Sequence, residues 1–232
     1  MSLPTKMKIT CPKCDKESDF TIWQSVNTSL GPDMKEKILS RELFKFVCPH
    51  CSAEMEIDYP FLYHQMKDKI MIYYVQDEEG YNDAVKVFSG EAPEGKQDTE
   101  KLVMGDYLRR IVTSQNDLIE KIRIFDDGRD DRLIEIMKAY FVEPVAKENP
   151  DMGMFTLYYD GDRERISFVI ISEEKACGTF DAPEGMYEDL VKNLDGKIMD
   201  VREEENFLID FDWAVGMLMG GDGEVSEGWH GI

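Results

Sequence analysis

The feature that most constrains this chain is a pair of Cys-Pro-x-Cys motifs, Cys11-Pro12-Lys13-Cys14 and Cys48-Pro49-His50-Cys51, separated by thirty-three residues. Two residues between cysteines is the spacing at which one tight turn can aim both sulfurs at one ion. Pro12 and Pro49 fix φ inside those turns, and the free backbone N–H groups there can point at the sulfurs. Two such knuckles supply four thiolates at tetrahedral positions, the closed arrangement of structural zinc. Cys11, Cys14, Cys48 and Cys51 are therefore the expected metal ligands. The plainer alternative is four ordinary buried or disulfide-bonded cysteines. His50 lies inside the second knuckle and is expected to face solvent, since four sulfurs already fill a tetrahedral shell.

Hydrophobic alternation places strands around both knuckles. Phe20, Ile22 and Val26 are in phase and read as the strand leaving the first one. Asp33 to Leu39 is expected as a short helix, with Met34, Ile38 and Leu39 on one side. Leu43 to Val47 should deliver Cys48, and Glu54 to Tyr59 should leave the second knuckle as a strand stopped by Pro60. Ile70 to Val75 reads as a further, more buried strand. Strands entering and leaving each knuckle make a zinc ribbon, here with a long arm and added core.

The paired Cys-Pro-x-Cys motifs, the long arm and Asp58-Tyr59-Pro60-Phe61-Leu62-Tyr63-His64 together resemble the CpXC domain family. The stretches Leu118-Ile119-Glu120-Lys121-Ile122 and Asp130-Asp131-Arg132-Leu133-Ile134-Glu135 extend the similarity over roughly residues 9 to 140. That resemblance implies the four cysteines as ligands and brings no catalytic residues and no established function. Zinc ribbons often carry glycine after each knuckle, where φ is positive; Asp15 and Ser52 stand there instead. Aspartate tolerates that conformation better than serine, so the second knuckle is expected to be the more distorted.

Beyond residue 76 the composition changes. Residues 77–101 read mostly as loop, with Ala84 to Phe88 a short element, and 102–113 are ambiguous between helix and strand. Ser114 to Asp117 looks like a helix start, with Leu118, Ile119, Ile122 and Phe125 at helical spacing and Gly128 as the residue after its end. Asp130 or Asp131 should cap a second helix that Pro144 closes. Asn149-Pro150-Asp151 is the expected domain boundary. Past it, Met154 to Tyr159 and Arg165 to Ile171 read as strands joined at Asp160-Gly161, with Gly178 to Phe180 as a third. A helix from Pro183 to Leu194 and one capped by Asp210 complete the chain. The resulting expectation is an α+β protein with an N-terminal zinc-ribbon-like antiparallel sheet and appended helices. A CpXC-like region over 9–147 comprises the ribbon (9–76), the loop (77–101) and a helical part (102–147). A smaller α+β domain follows over 150–232.

Charge narrows the partners. The chain carries a net charge of −21, yet residues 1–75 hold ten Lys/Arg and ten Asp/Glu, so the whole excess lies beyond them. Nucleic-acid binding draws on clustered cations that release counterions, and this distribution argues against it. No apolar run approaches the roughly eighteen residues of a membrane span, and no basic-then-apolar leader stands at the N-terminus. The expectation is a cytoplasmic chain whose thiols are held by metal rather than disulfides.

Catalytic signals are sparse. His64 is the one histidine outside the knuckle and the tail (His230), and a packing role suits it. Cys177 is expected to be buried rather than nucleophilic. The acidic run Asp126-Asp127-Gly128-Arg129-Asp130-Asp131 does not match an EF-hand loop, and helix-start acids explain it. Glu203-Glu204-Glu205 reads as a solvated face. No reaction is assigned. The expected role is a protein-interaction or regulatory adaptor with a structural zinc site and an unidentified protein partner. Its rival is electron transfer, because iron takes the same four sulfurs in the rubredoxin arrangement.

Overall fold

Alternating side chains carry the backbone into strands on both sides of each knuckle. The structure, a computed structural model, describes residues 2–91, 106–199 and 206–219, and for 195–199 the backbone only. β1 (Leu3–Thr10) runs into the first knuckle and β2 (Glu17–Asn27) returns antiparallel to it. The arm then holds α1 (Asp33–Leu39), which buries Met34 and Ile38, as the spacing predicts. β3 (Lys45–Val47) and β4 (Glu54–Glu56) flank the second knuckle as an antiparallel pair. Both are shorter than expected. Arg41 adopts φ 60° and starts a single 3-10 turn over Glu42–Phe44, which seats Leu43 and Phe44 in the core before the strand begins. After Glu56 the chain leaves the pair, and Ile57 N–H donates to Phe44 O.

Pro60 ends one segment and starts another. β5 (Phe61–Gln65), β6 (Ile70–Tyr74) and β7 (Leu108–Val112) extend β1 and β2 into a five-stranded sheet of order β1-β2-β5-β6-β7. Three residues of β2 pair parallel with β5, and β6 pairs parallel with β7; the remaining pairs are antiparallel. Phe61, Tyr63, Ile72 and Tyr74 are buried on this sheet. The stretch expected as loop begins with a helix, α2 (Glu78–Ser89). Asp77 caps it by accepting from Gly80 N–H at 2.7 Å, and Gly90 ends it at φ 74°. Only Ala84 and Phe88 are buried along it, so the apolar signal in the sequence is thin. The remainder of that expected loop lies largely outside the described residues.

The described residues through Ser114 form one compact unit, and those from Gln115 onward form a second. The second contains α3 (Gln115–Asp126), α4 (Asp131–Glu148), β8 (Thr156–Tyr159), β9 (Ser167–Ser172), β10 (Lys175–Asp181), α5 (Met186–Met199) and α6 (Phe211–Leu218). Its antiparallel sheet has the order β10-β9-β8. Ile124 of α3 and Ile134 and Met137 of α4 pack with Tyr159 and Phe168 of that sheet. The opposite side of α4 offers Leu133 and Ile136 to Ile209, Trp213 and Ala214. Asn149-Pro150-Asp151, read from the sequence as a boundary, forms the turn after α4. Together the two units make an α+β chain with an antiparallel-rich N-terminal sheet.

Local chemistry explains most element ends. Gly128 sits at φ 71° between α3 and α4, where a side chain would be strained. Asp130 and Asp210 cap α4 and α6 through the N–H groups of Arg132 and Trp213. Pro144, expected to close α4, lies inside it. Its ring removes one hydrogen bond to Tyr140, but both residues are on the exposed side, where water can serve that carbonyl. The Asp160-Gly161 turn is longer than a two-residue hairpin. Asp162 Oδ1 accepts from Glu164 and Arg165 N–H and shapes the 160–166 connection.

The β9–β10 turn is the less favourable one. Glu173 and Glu174 both occupy positive φ, at 49° and 60°, between the paired Ser172 and Lys175. Two-residue turns of this kind favour Asn-Gly, because each ordinary side chain there costs roughly 1 kcal/mol or more. Glu173→Asn with Glu174→Gly is expected to stabilise the protein by about 1–2 kcal/mol, read as a higher thermal midpoint.

Candidate metal centre

The two knuckles share one backbone frame. Cys11 N–H donates to Lys16 O at 3.0 Å and Asp15 N–H to Cys11 O at 2.8 Å; Cys48 N–H donates to Ala53 O at 2.8 Å and Ser52 N–H to Cys48 O at 2.9 Å. Asp15 and Ser52 stand at φ 54° and 56°. The positive φ expected of the residue after each knuckle is therefore present at both. The second knuckle is not the more distorted: the same pair of hydrogen bonds holds each turn, whichever residue follows it. Ser52→Gly relieves left-handed strain and is expected to stabilise the chain by about 1 kcal/mol, with metal stoichiometry unchanged in an elemental assay.

This frame brings the four sulfurs within 4.8 Å of one another. Cys11 Sγ lies 3.6 Å from Cys51 Sγ, and Cys14 Sγ lies 3.7 Å from Cys48 Sγ. An ion with metal–sulfur bonds of about 2.3 Å in a tetrahedron separates its sulfurs by about 3.8 Å, close to both of these pairs, so the cluster could hold a metal ion. Cys11 and Cys48 are buried, whereas Cys14 and Cys51 are half-exposed. Ile9 and Phe46 pack with the buried pair, and Met7, Phe20, Met55 and Ile57 close around them. Phe20 meets Phe46 edge-on at 5.8 Å. One side of the cluster thus faces apolar core and the other approaches solvent.

The thiols do not ionise independently. Burial pushes Cys48 up, but the N–H groups of His50 and Cys51 and the adjoining sulfurs outweigh it and bring it to about 7. At Cys14 the Lys16 N–H acts downward; burial and the other three sulfurs outweigh it and push the thiol up to about 12. Sulfurs this close share protons, and one divalent cation can replace several protons at once.

The remaining sequence candidates lie apart from the cluster. His50 is exposed, as expected. His64 sits on β5 with Nδ1 3.4 Å from Asn27 Nδ2 and Nε2 3.1 Å from the Tyr107 hydroxyl, and burial lowers its pKa. Cys177, expected to be buried, is exposed beside an irregularity in β10; that edge strand leaves its side chain uncovered. In the acidic turn, Asp127 accepts from Tyr159 OH, Asp130 caps α4 and binds Arg132, and Asp131 pairs with Lys121. His230 and Glu203-Glu204-Glu205 lie outside the described residues.

One group of charges escaped the sequence reading. Asp131, Lys121, Glu135, Lys138 and Glu120 form a buried chain of alternating sign, with contacts of 3.0, 3.0, 2.8 and 3.0 Å in that order. Glu120 Oε1 also accepts the Tyr159 N–H at 2.6 Å. The chain ties α3 to α4 and to the edge of β8. Its only sequence signal is the placement of these charges among the apolar positions of two helices.

Four clustered cysteines on two strand-flanked knuckles define a ribbon-type module with a cluster that could hold a metal ion. The family model described as CpXC protein matches residues 9–138, more than half of the chain, and the chain belongs to the CpXC family. The match continues past Ser114 into α3 and α4. Comparison with curated proteins and with solved structures found no match to either.

Proposed function

We propose that Cys11, Cys14, Cys48 and Cys51 hold one zinc ion, and that the ribbon they fold is a protein-interaction or regulatory adaptor module. The proximity of four sulfurs on two equivalent frames carries this reading. With four protein ligands a tetrahedral shell is closed, which suits a structural ion rather than a catalytic one. The ion would supply cohesion that β3 and β4, of three residues each, cannot supply through apolar burial. Supporting the adaptor role, the ribbon presents a groove of about 490 Å³ lined by Trp23, Leu30, Met34 and Lys37. Leu30 is 65% exposed there. Among the described residues no helix is long and apolar enough to cross a membrane, and the acidic excess disfavours nucleic acid as the partner.

The test is elemental analysis of the chain purified without added metal, together with its visible spectrum. About one zinc per chain and no colour supports the proposal. One iron with a red thiolate-to-iron absorption replaces it with electron transfer, and neither metal refutes the centre.

A further inference from the structure

Two short sulfur pairs run across the knuckles. Cys11 faces Cys51 at 3.6 Å and Cys14 faces Cys48 at 3.7 Å. Each pair joins one buried sulfur, Cys11 or Cys48, to one half-exposed sulfur, Cys51 or Cys14. An oxidant arriving from solvent therefore meets one cysteine of each knuckle first. In both cases a buried sulfur of the other knuckle lies within 3.7 Å of it.

Resting on the reading that these thiolates hold an ion, we propose that the centre is a peroxide-sensitive metal switch whose oxidised state carries two cross-knuckle disulfides, Cys11–Cys51 and Cys14–Cys48. In each half-reaction the exposed thiolate attacks one oxygen of hydrogen peroxide. The O–O bond breaks, hydroxide leaves and a sulfenic acid forms. The buried thiolate then attacks that sulfur, forming the S–S bond and expelling a second hydroxide. Two sulfurs lose two electrons, peroxide gains them, and two solvent protons convert the hydroxides to water. Two such events consume all four thiolates, so the ion loses its ligands and leaves.

Crosswise bonds preserve what the ion held together. Closing each gap to the roughly 2.05 Å of a disulfide draws together sulfurs on separate turns. The Asp15-to-Cys11 and Ser52-to-Cys48 hydrogen bonds can persist in both knuckles. The packing of Ile9 and Phe20 against Phe46 stays anchored at both ends. Bonds within a knuckle would instead leave the two turns unconnected once the ion had gone. Oxidation thus empties the site without unfolding the ribbon, and reduction regenerates it.

The experiment uses the full chain carrying Cys177→Ser, which removes the exposed fifth thiol from the map. The zinc-loaded chain is treated with hydrogen peroxide, released zinc is followed with a colorimetric chelator, and the product is alkylated and digested with trypsin. Cleavage after Lys8, Lys13, Lys16, Lys45 and Lys67 places Cys11 and Cys14 on separate peptides and Cys48 with Cys51 on a third. The expected result is full zinc release with the three peptides covalently joined, fragmentation assigning Cys11 to Cys51, and zinc rebinding after reduction. Bonds within each knuckle, a Cys11–Cys48 link, or zinc retained under peroxide overturns the switch while leaving the metal centre intact. A reduced chain that takes up no zinc overturns the metal reading first, and the switch with it.

Discussion

Replacing Cys48 with serine is expected to abolish stoichiometric metal binding and to lower the thermal midpoint by about 10 °C or more. Cys48 is 1% exposed, and its sulfur sits between Cys14 and the apolar floor formed with Ile9 and Phe46. Serine removes a soft anionic ligand and leaves a hydroxyl in the same enclosed place, so both the ion and the packing suffer. Apparent binding free energies of structural zinc run to about 10–16 kcal/mol in isolated fingers, far more than β3 and β4 can recover by themselves. Excess chelator should act on the wild-type chain in the same direction. Acidification should do so as well, because protons compete with the ion for the same sulfurs. A Cys48→Ser chain that keeps one ion and its wild-type midpoint would show that the four sulfurs are merely a packed cluster. Cys177→Ser, on an exposed edge, serves as the control and should change neither quantity.

The second large effect belongs to the C-terminal unit. Lys138→Met is expected to cost about 3–5 kcal/mol, because Glu120 and Glu135 would keep their burial and lose the ammonium between them. Burial lowers the pKa of Lys138, yet those two carboxylates more than offset it and hold the group above the ordinary lysine range. Glu120 shows the opposite balance: burial raises it from 4.5 to about 7, against the pull of Lys138, while Glu135 adds to the rise. Between those values the folded chain retains a proton that the unfolded chain has released. The stability this group confers is therefore complete below about pH 4.5 and is lost as the pH rises through about 7. Glu120→Gln mimics the protonated form and removes that slope. Relative to wild type, the variant should gain stability from about pH 5 to about pH 7 and level off above it, measured by denaturant unfolding at each pH. Parallel curves for the two proteins would show that Glu120 stays ionised throughout. Lys138→Met should cost less in the Glu120→Gln background than in wild type, since the substitution then strands one fewer carboxylate.

Much of the centre was legible before any coordinates. The spacing within each Cys-Pro-x-Cys motif implies a knuckle, and the place after each knuckle, filled by Asp15 and Ser52, has the positive φ expected of it. These are short-range constraints, decided within a handful of bonds. Helix caps at Asp130 and Asp210 and the break at Gly128 were readable for the same reason. Readings failed where a distant partner decides. Ala84 and Phe88 are too few to announce a helix until there is a surface to bury them. Pro144 ends a helix in isolation but not where the freed carbonyl lies on the exposed side. Cys177 reads as core by residue type, yet its strand has an open edge.

By itself, then, the amino-acid order determined the two knuckles, the four cysteines they bring together, the acidic imbalance and most strand and helix starts. Each of these depends on residues close along the chain. Tertiary structure alone decided that Cys11 meets Cys51 and Cys14 meets Cys48 across the knuckles, that α3 and α4 share a core with β8 and β9, and that five charges form one buried chain. Those outcomes depend on which surfaces exclude water together. A side chain's burial and the charge beside it are properties of the packed chain, and no local pattern encodes them.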